Sequence, residues 1–448
     1  MENSLPKGWG DFNISALLDK NDIFSDGDWV ESKDQDPNGD VRLIQLADIG
    51  INEFRDKSNR YLTSQKAEEL KCTLLKKNDV LIARMPDPIG RSCVFPLEGK
   101  FATVVDIAIV RINSKYINPR LLSFFINSIY IQSKIRDLSS GSTRLRISRK
   151  NLDTIKFPLP PLPEQERIVA KLDALFTQHE AMKKALERIP QLLKDFRQQV
   201  LAKAVTGKLT EQWHKEKKLE KWKEVELGTI GEFISGFAFK SSDFVEYGIQ
   251  LIRMGNLYNN KLDLNRSPVF IPNNFDNKII EKFSTKKGDI LLSLTGTKYK
   301  RDYGYAIEIL TDELLLVNQR ILCIRPNINC KFLTYILRND LFRDQFFEFE
   351  TGGVNQGNVG VKSISTIKIL VPENTEQQEI VSRVESLLTK ADIIEKRYKA
   401  LKEKIDSLPQ AILHKAFKGE LVPQLPTDGD AKDLLKEILK LKKEVMKK

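Results

Sequence analysis

Residues 164–209 read EQERIVAKLDALFTQHEAMKKALERIPQLLKDFRQQVLAKAVTGKL, and residues 376–421 read EQQEIVSRVESLLTKADIIEKRYKALKEKIDSLPQAILHKAFKGEL. The two stretches align without a gap at an offset of 212 residues, and 13 of the 46 aligned positions are identical. A repeat of such long period indicates that the chain is built from two similar halves. The rest of the architecture follows from this repeat.

Apolar residues recur in both copies at spacings that alternate between four and three residues. This heptad pattern predicts two helices, each roughly 60 Å long, that pair within the chain as an antiparallel coiled coil; pairing with a second copy of the chain is the alternative. Gly207 and Gly419 are expected to end the helices, and Pro190 and Pro409 to kink a turn without changing the heptad phase. His179 is the polar member of the first seam, where we expect it to set the register. The seam positions are Ile168, Leu172, Leu175, Leu186, Leu193, Ile380, Val384, Leu387, Leu401 and Ile405.

The regions outside the helices also resemble each other. Short β-branched runs bounded by Gly, Asn and Asp predict strands, and helical stretches at residues 119–137 and 333–350 each precede a loop of small residues. The predicted fold is therefore two tandem α/β (α+β) domains separated by two long helices. The predicted division is a first domain at 1–160, a first helix at 161–208, a second domain at 209–372, a second helix at 373–421 and a basic helical tail at 422–448.

Composition narrows the function classes. The net charge of +11 favours a polyanionic partner, most commonly DNA. The chain contains no run of about 18 apolar residues, so we expect no membrane span. Its N-terminus lacks the pattern of a secretory signal, and its four cysteines form no CxxC pair. We therefore expect reduced thiols, no structural metal site and a cytoplasmic protein.

The two small-residue loops carry side chains suited to DNA. Arginine reads guanine edges, glutamine and asparagine read adenine edges, and small residues let the backbone approach a phosphate. A solvated polar loop is the alternative interpretation of each. The candidate DNA-binding residues are Arg84, Ser142, Thr143, Arg144, Arg146, Arg149, Lys298, Lys300, Arg301, Gly352, Gly353, Asn355 and Gln356.

Two motifs, PLPPLPEQERIV at 158–169 and LAKAVTGKLT at 201–210, together with their degenerate second copies, resemble the specificity subunits of type I restriction-modification systems. The resemblance covers the whole chain, although the second proline segment, 371–375, is shorter than the first. It implies that each domain recognises one half of a split site on double-stranded DNA. It also implies that the helices fix the separation of the domains and dock two methyltransferase subunits.

The resemblance further implies that this chain is not an enzyme and binds no cofactor. S-adenosylmethionine is expected on the methyltransferase subunits, and ATP and Mg²⁺ on the partner subunits, including the restriction translocase-nuclease. Because the two loops differ in chemistry, the target is predicted to be an asymmetric bipartite site. Methylation of adenine or ATP-dependent cleavage would then be directed by this chain and performed by its partners.

Three alternatives remain open from the residues. Asp87, Glu98 and Lys100 imitate the Mg²⁺ site of a nuclease, although Glu98 lies in a predicted turn. A stand-alone DNA-binding protein would need no partner subunits. A purely structural adaptor would explain the helices and leave the two domains unexplained. No phosphate-binding GxxxxGK[ST] loop occurs in the sequence.

Overall fold

The computed structural model describes residues 5–86, 88–141, 144–353 and 355–445. The chain forms two compact units. The first unit comprises Met1–Leu186 and Ala400–Lys448, and the second comprises Glu187–Lys399. Each unit therefore holds one predicted domain and part of both predicted helices.

Both units combine strands with helices. The strands are β1 Gly10–Phe12, β2 Ile23–Asp26, β3 Val41–Ile44, β4 Arg60–Leu62, β5 Val80–Ala83, β6 Ser92–Val94, β7 Phe101–Thr103, β8 Ile107–Arg111, β9 Phe157–Leu159, β10 Lys223–Glu226, β11 Gly231–Ser235, β12 Ile249–Ile252, β13 Leu257–Tyr258, β14 Lys261–Leu262, β15 Phe270–Ile271, β16 Ile290–Ser293, β17 Thr295–Gly296, β18 Ala306–Glu308, β19 Leu315–Val317, β20 Ile321–Pro326, β21 Gly357–Asn358 and β22 Lys368–Val371. The helices are α1 Ser64–Glu69, α2 Pro119–Ile126, α3 Ile129–Asp137, α4 Arg149–Asp153, α5 Leu162–Glu187, α6 Ile189–Val205, α7 Glu211–Lys217, α8 Asn277–Phe283, α9 Cys330–Arg338, α10 Asp340–Glu348, α11 Val361–Ser365, α12 Asn374–Phe417 and α13 Ala431–Val445.

The two domains share one sheet topology. In the first unit, strands pair in the order β2-β8-β5-β6 in one sheet and β4-β3-β7 in another, and β1 pairs with β9. In the second unit, the corresponding orders are β11-β20-β16-β18 and β15-β12-β19, and β10 pairs with β22. The pairs β3–β7 and β12–β19 are parallel, whereas their neighbours are antiparallel. The mixed α/β prediction is confirmed for both domains.

Buried glutamates join each domain to its helix. The indole Nε1 of Trp9 donates to Glu164 Oε2 over 2.9 Å, and that of Trp222 donates to Glu376 Oε2 over 3.0 Å. Glu376 also accepts a hydrogen bond from Thr210 Oγ1 over 2.8 Å. Because both carboxylates are buried, these indole contacts hold the domain and the helix together.

The glutamines that follow these glutamates also connect each domain to its helix. Gln165 Oε1 accepts from the amide of Asn118 over 2.8 Å, and Gln377 Oε1 accepts from that of Asn329 over 2.9 Å. The side chain of each glutamine also donates to the carbonyl of a preceding proline. The Glu-Gln pair of each repeat therefore forms a structural joint between the domain and its helix.

The long helices pair in opposite directions within each unit. In the first unit, the start of α5, including Ile168 and Leu172, shares a buried cluster with Ile412 near the end of α12. In the second unit, the end of α6, including Val200, shares a buried cluster with Ile380 at the start of α12. Both arrangements are antiparallel, as the sequence predicts.

The first predicted helix is divided into two. Helix α5 ends at Glu187 and α6 begins at Ile189, with Pro190 in its first turn. Arg188 between them keeps helical angles (φ −81°, ψ −22°), so the heptad phase continues. Helix α12 runs without interruption through Pro409. The other predicted helical stretches are also each divided, at residues 127–128 and 339, where Ser128 and Asn339 cap the following helix.

Burial of the seam follows one of its two heptad rows, and the other row is buried only at Ile168 and Ile380, near the start of each helix. The buried residues among the predicted positions are Ile168, Leu172, Leu186, Leu193, Ile380, Val384 and Ile405. Leu175 and Leu387 are half-buried, and Leu401 is exposed. The prediction that Leu401 lies in the seam is therefore wrong, because two helices cover only a narrow stripe where no further layer packs on them.

The tail forms helix α13, which packs on the first domain through Ala431 and Ile438. Leu439 on the same helix is exposed. Within the part of the chain that the structure describes, no helix is both long enough and apolar enough to cross a membrane.

Candidate nucleic-acid interface

In each domain a pair of helices is followed by a loop whose two ends are joined by a β-bridge. In the first loop (residues 139–147) Ser140 pairs with Arg146, and in the second loop (residues 350–358) Thr351 pairs with Asn358. Both loops use the same scaffold position, because the amides of Ile147 and Val359 donate to the carbonyls of Arg84 and Leu294, respectively. The loops are therefore structural equivalents.

A glycine at the same point makes each loop possible. Gly141 has φ +126° and Gly352 has φ +114°, a region that favours glycine. A Cβ atom at these positions would lie 2.3 Å from the carbonyl oxygen of Arg144 and 2.1 Å from that of Gln356. No side chain fits there without movement of the backbone. Ser142 and Thr143, predicted to contact DNA, lie outside the described residues.

The exposed side chains of the first loop are basic. Arg144 is exposed, and Arg146 is partly exposed while its Nη2 lies 3.0 Å from Asp106 Oδ1. Arg149 follows at the start of α4, exposed, with Nη1 bonded to the carbonyl of Phe24. These three arginines therefore remain candidates for contact with a phosphate or a guanine edge.

Arg84 does not belong with them. Its side chain is only 4% exposed; Nη1 lies 2.8 Å from Asp26 Oδ1, and Nη2 donates to the carbonyl of Val105 over 2.6 Å. Burial lowers the pKa of this guanidinium. The expectation that Arg84 faces DNA is not supported, because the residue supports the first loop from beneath.

In the second domain, two sets of predicted DNA-binding residues, at 298–301 and 352–356, lie side by side. Lys298 Nζ donates to the carbonyl of Gly352 over 2.8 Å, which brings the basic loop (residues 297–303) against the second loop. Lys300 is exposed, and Arg301 is held by Asp344. The exposed residues of the combined surface are Tyr299, Lys300, Arg301, Gly352, Gly353, Asn355 and Gln356.

The first domain contains a candidate that the sequence analysis missed. Trp29 is 69% exposed and borders a cavity of about 420 Å³, together with Gln45 and Asp106. Asp106 is also the partner of Arg146, so this cavity adjoins the first loop. Burial raises the pKa of Asp28, in the same cavity wall, to about 6. A lone tryptophan within a polar segment is a signal that sequence reasoning can use.

The nuclease alternative finds no support in the described residues. Glu98 pairs with Lys77 over 3.1 Å, and Lys100 pairs with Asp40 over 2.7 Å. Asp87 lies outside the described residues. No cluster of three or more metal-ligating side chains occurs among the residues that the structure describes.

Comparison with known proteins identifies the family. The model of the type I restriction modification DNA specificity domain matches twice, at residues 6–191 and 219–403. The chain therefore belongs to this family. It is 33% identical over 318 residues to the type I restriction enzyme StySPI specificity subunit of Salmonella potsdam, covering 69% of this chain and 67% of that protein. It is 30% identical over 319 residues to the EcoKI specificity subunit of Escherichia coli K12, with the same coverage of 69% and 67%.

A solved structure has the same fold. The HsdS subunit from Thermoanaerobacter tengcongensis superposes with a TM-score of 0.66 at 18% identity, covering 94% of this chain and 99% of that one. At this identity the likeness concerns the fold alone. It agrees with the two-domain, two-helix architecture predicted from the repeat.

Proposed function

We propose that this chain is the DNA specificity subunit of a type I restriction-modification complex and that each domain recognises one half of an asymmetric bipartite site. The observation that carries the proposal is the pair of equivalent glycine-closed loops. Their scaffold is the same, whereas the exposed side chains are arginines in one and amides with lysine, arginine and tyrosine in the other. Two loops that share a backbone scaffold but differ in their exposed side chains suit two different half-sites.

The proposal assigns chemistry to partner subunits. Two methyltransferase subunits would dock on the paired helices and bind S-adenosylmethionine, and ATP and Mg²⁺ would also be bound by partner subunits, with a translocase-nuclease performing cleavage. The exposed apolar side chains on α6 and α12 in the second unit, Leu192, Phe196, Ile393 and Ile394, support docking there. In this proposal the chain itself performs no catalysis and acts in the cytoplasm. Its four cysteines are free thiols, which is compatible with that location.

Adenine methylation mapping tests the proposal. The chain is co-expressed with its methyltransferase partner in a host that lacks adenine methylation, and methylated adenines are located across the genome. We expect one motif of two unlike halves at a fixed separation. Expression of the partner without this chain is the control and should leave the genome unmethylated. A palindromic motif, or methylation without this chain, would contradict the proposal.

Two further measurements, selection from random duplexes and co-purification with the partner, separate the alternatives. A stand-alone DNA-binding protein would select a motif from random duplexes in the absence of the methyltransferase and would not direct methylation. A structural adaptor would bring the partner down in co-purification but give no motif. The proposal requires both the motif and the partner.

A further inference from the structure

The second domain differs from the first by a longer loop beside its DNA-facing surface. Gly90 and Gly304 occupy the same scaffold position, since their amides donate to the carbonyls of Ala83 and Ser293, respectively. Between the equivalent residues Arg84 and Leu294 and these glycines, the first domain has residues 85–89, whereas the second has residues 295–303. The additional length contains Lys298, Tyr299, Lys300 and Arg301, the basic loop.

Tyr299 is the most exposed side chain of interest in this loop. Tyr299 is 80% exposed, although a tyrosine normally gains by burying its apolar body. Its backbone has φ +65°, and Arg301 has φ +53°. A bulky residue in this region is an outlier that persists only when its surroundings fix it.

The surroundings of Tyr299 do fix it. The amide of Tyr299 donates to Glu350 Oε2 over 3.2 Å, and Glu350 Oε1 accepts from the hydroxyl of Tyr303 over 2.8 Å. Tyr303 is fully buried, and Lys298 ties the basic loop to the carbonyl of Gly352. The ring is therefore presented to solvent by a backbone that is anchored at several points, beside the second loop.

Two lysines, at positions 298 and 300, flank Tyr299 in the sequence. Lys298 Nζ lies 5.0 Å from the centre of the Tyr299 ring, and Lys300 is exposed next to it. The neighbouring carboxylates already accept hydrogen bonds: Asp344 from Arg301, and Glu350 from two tyrosines. An exposed aromatic ring with a cation beside it suits a nucleic acid, whose phosphates meet the cation while a base meets the ring. A protein-docking surface would need a wider apolar area.

We propose that Tyr299 inserts into the base stack of the second half-site and partly unstacks one base-pair step. This inference rests on the proposed function, because it assumes that the second domain binds that half-site. A side chain that enters the stack makes recognition depend on how easily the step deforms, even without a hydrogen bond to a base. The Asn355 and Gln356 amides remain free to contact base edges at neighbouring positions.

The test uses the complex of the full chain with its methyltransferase partner and duplexes that carry the mapped motif. The fluorescent base 2-aminopurine replaces bases of each half-site in turn, excluding the methylated adenines. With the unmodified chain we expect the fluorescence to rise at one step of the second half-site. Tyr299→Phe should keep this rise, whereas Tyr299→Ala should abolish it and weaken binding roughly tenfold or more, the usual loss for one stacked base.

The matched control is Tyr247→Ala. Tyr247 is 85% exposed in the same domain but lies in the turn before β12, so its loss should change neither binding nor fluorescence. Signals from the first half-site should be the same in all variants, and thermal unfolding should show that Tyr299→Ala is folded. The inference is overturned if Tyr299→Ala binds and fluoresces like the unmodified chain. If the unmodified complex does not prefer the motif to a scrambled duplex, the proposed function itself fails.

Discussion

At the scale of single residues, His179 shows how a polar side chain can belong in a helix seam. Its Nε2 atom lies 2.9 Å from the carbonyl oxygen of Ile405, so the nitrogen donates. In α12 that carbonyl would normally accept from the amide of residue 409, but Pro409 has none. The imidazole therefore satisfies a buried acceptor that proline leaves free, and this fixes the register of the two helices.

This arrangement predicts a coupling between two substitutions. His179→Leu leaves the buried carbonyl without a donor and should lower the free energy of unfolding by about 1–3 kcal/mol. In a Pro409→Ala background the alanine amide bonds to Ile405, so the same His179→Leu change should cost less than about 1 kcal/mol. Urea unfolding of the four proteins measures both costs. Equal costs in the two backgrounds would show that the hydrogen bond is not what His179 contributes.

The raised pKa of Asp28 predicts how the free energy of unfolding depends on pH. Burial raises its pKa from 3.8 to about 6, while the amide of Thr73 donates to the carboxylate over 3.0 Å. The folded protein therefore holds the proton more tightly than the unfolded chain, and the free energy of unfolding should fall as the pH rises from about 4 to about 6. Asp28→Asn removes this fall and keeps an acceptor for Thr73.

The size of this effect is moderate because Asp28 is partly exposed. A shift of two pKa units corresponds to at most about 3 kcal/mol, and solvent screening reduces it to roughly 1 kcal/mol. The stability gained by Asp28→Asn should thus be about 1 kcal/mol larger at pH 7 than at pH 4, as measured by urea unfolding at each pH. A gain that is independent of pH would mean that Asp28 ionises in the fold as freely as in the unfolded chain.

At the scale of helices, the exposed apolar side chains of α6 and α12 predict a docking surface. Leu192 is 62% exposed, and Ile394 is 50% exposed. Leu192→Glu together with Ile394→Glu should abolish co-purification with the methyltransferase subunit while leaving thermal stability unchanged, because neither side chain lies in the core. Gln199→Glu together with Thr389→Glu adds the same charge at exposed positions of the same helices and should not affect co-purification. Retention of the partner by the first double variant would place docking elsewhere.

The helices and domains were predictable from the sequence because their signals are periodic or repeated. Ile168 and Ile380 open the same heptad series, and the strand orders of the two domains match as the repeat implies. The sequence did not show that Arg84 is buried, because its burial depends on Asp26, a distant residue of β2. Nor did it show that Leu401 is exposed, since a heptad pattern gives the direction of a side chain and not what covers it.

At the scale of the whole molecule, we expect the two loops to recognise the two halves of the DNA motif independently. Each loop is closed within its own unit, so damage to one should leave the other half of the recognised motif intact. Gly141→Ala places a Cβ atom 2.3 Å from the Arg144 carbonyl, and Gly352→Ala places one 2.1 Å from that of Gln356. Each substitution forces its loop to rearrange while leaving the sheets beneath it unchanged.

We therefore expect Gly141→Ala to relax the first half of the methylated motif and Gly352→Ala to relax the second. Genome-wide mapping of methylated adenines should show that the ratio of methylation at full sites to methylation at sites altered in that half falls by about tenfold in each variant, the effect of losing roughly 1.4 kcal/mol of discrimination. Gly360→Ala is the control, because no atom lies within 4 Å of a Cβ atom built there and Gly360 is not among the candidate DNA-binding residues. If either variant loses both halves at once, the domains do not read independently, and fixed spacing alone cannot explain how a bipartite site is recognised.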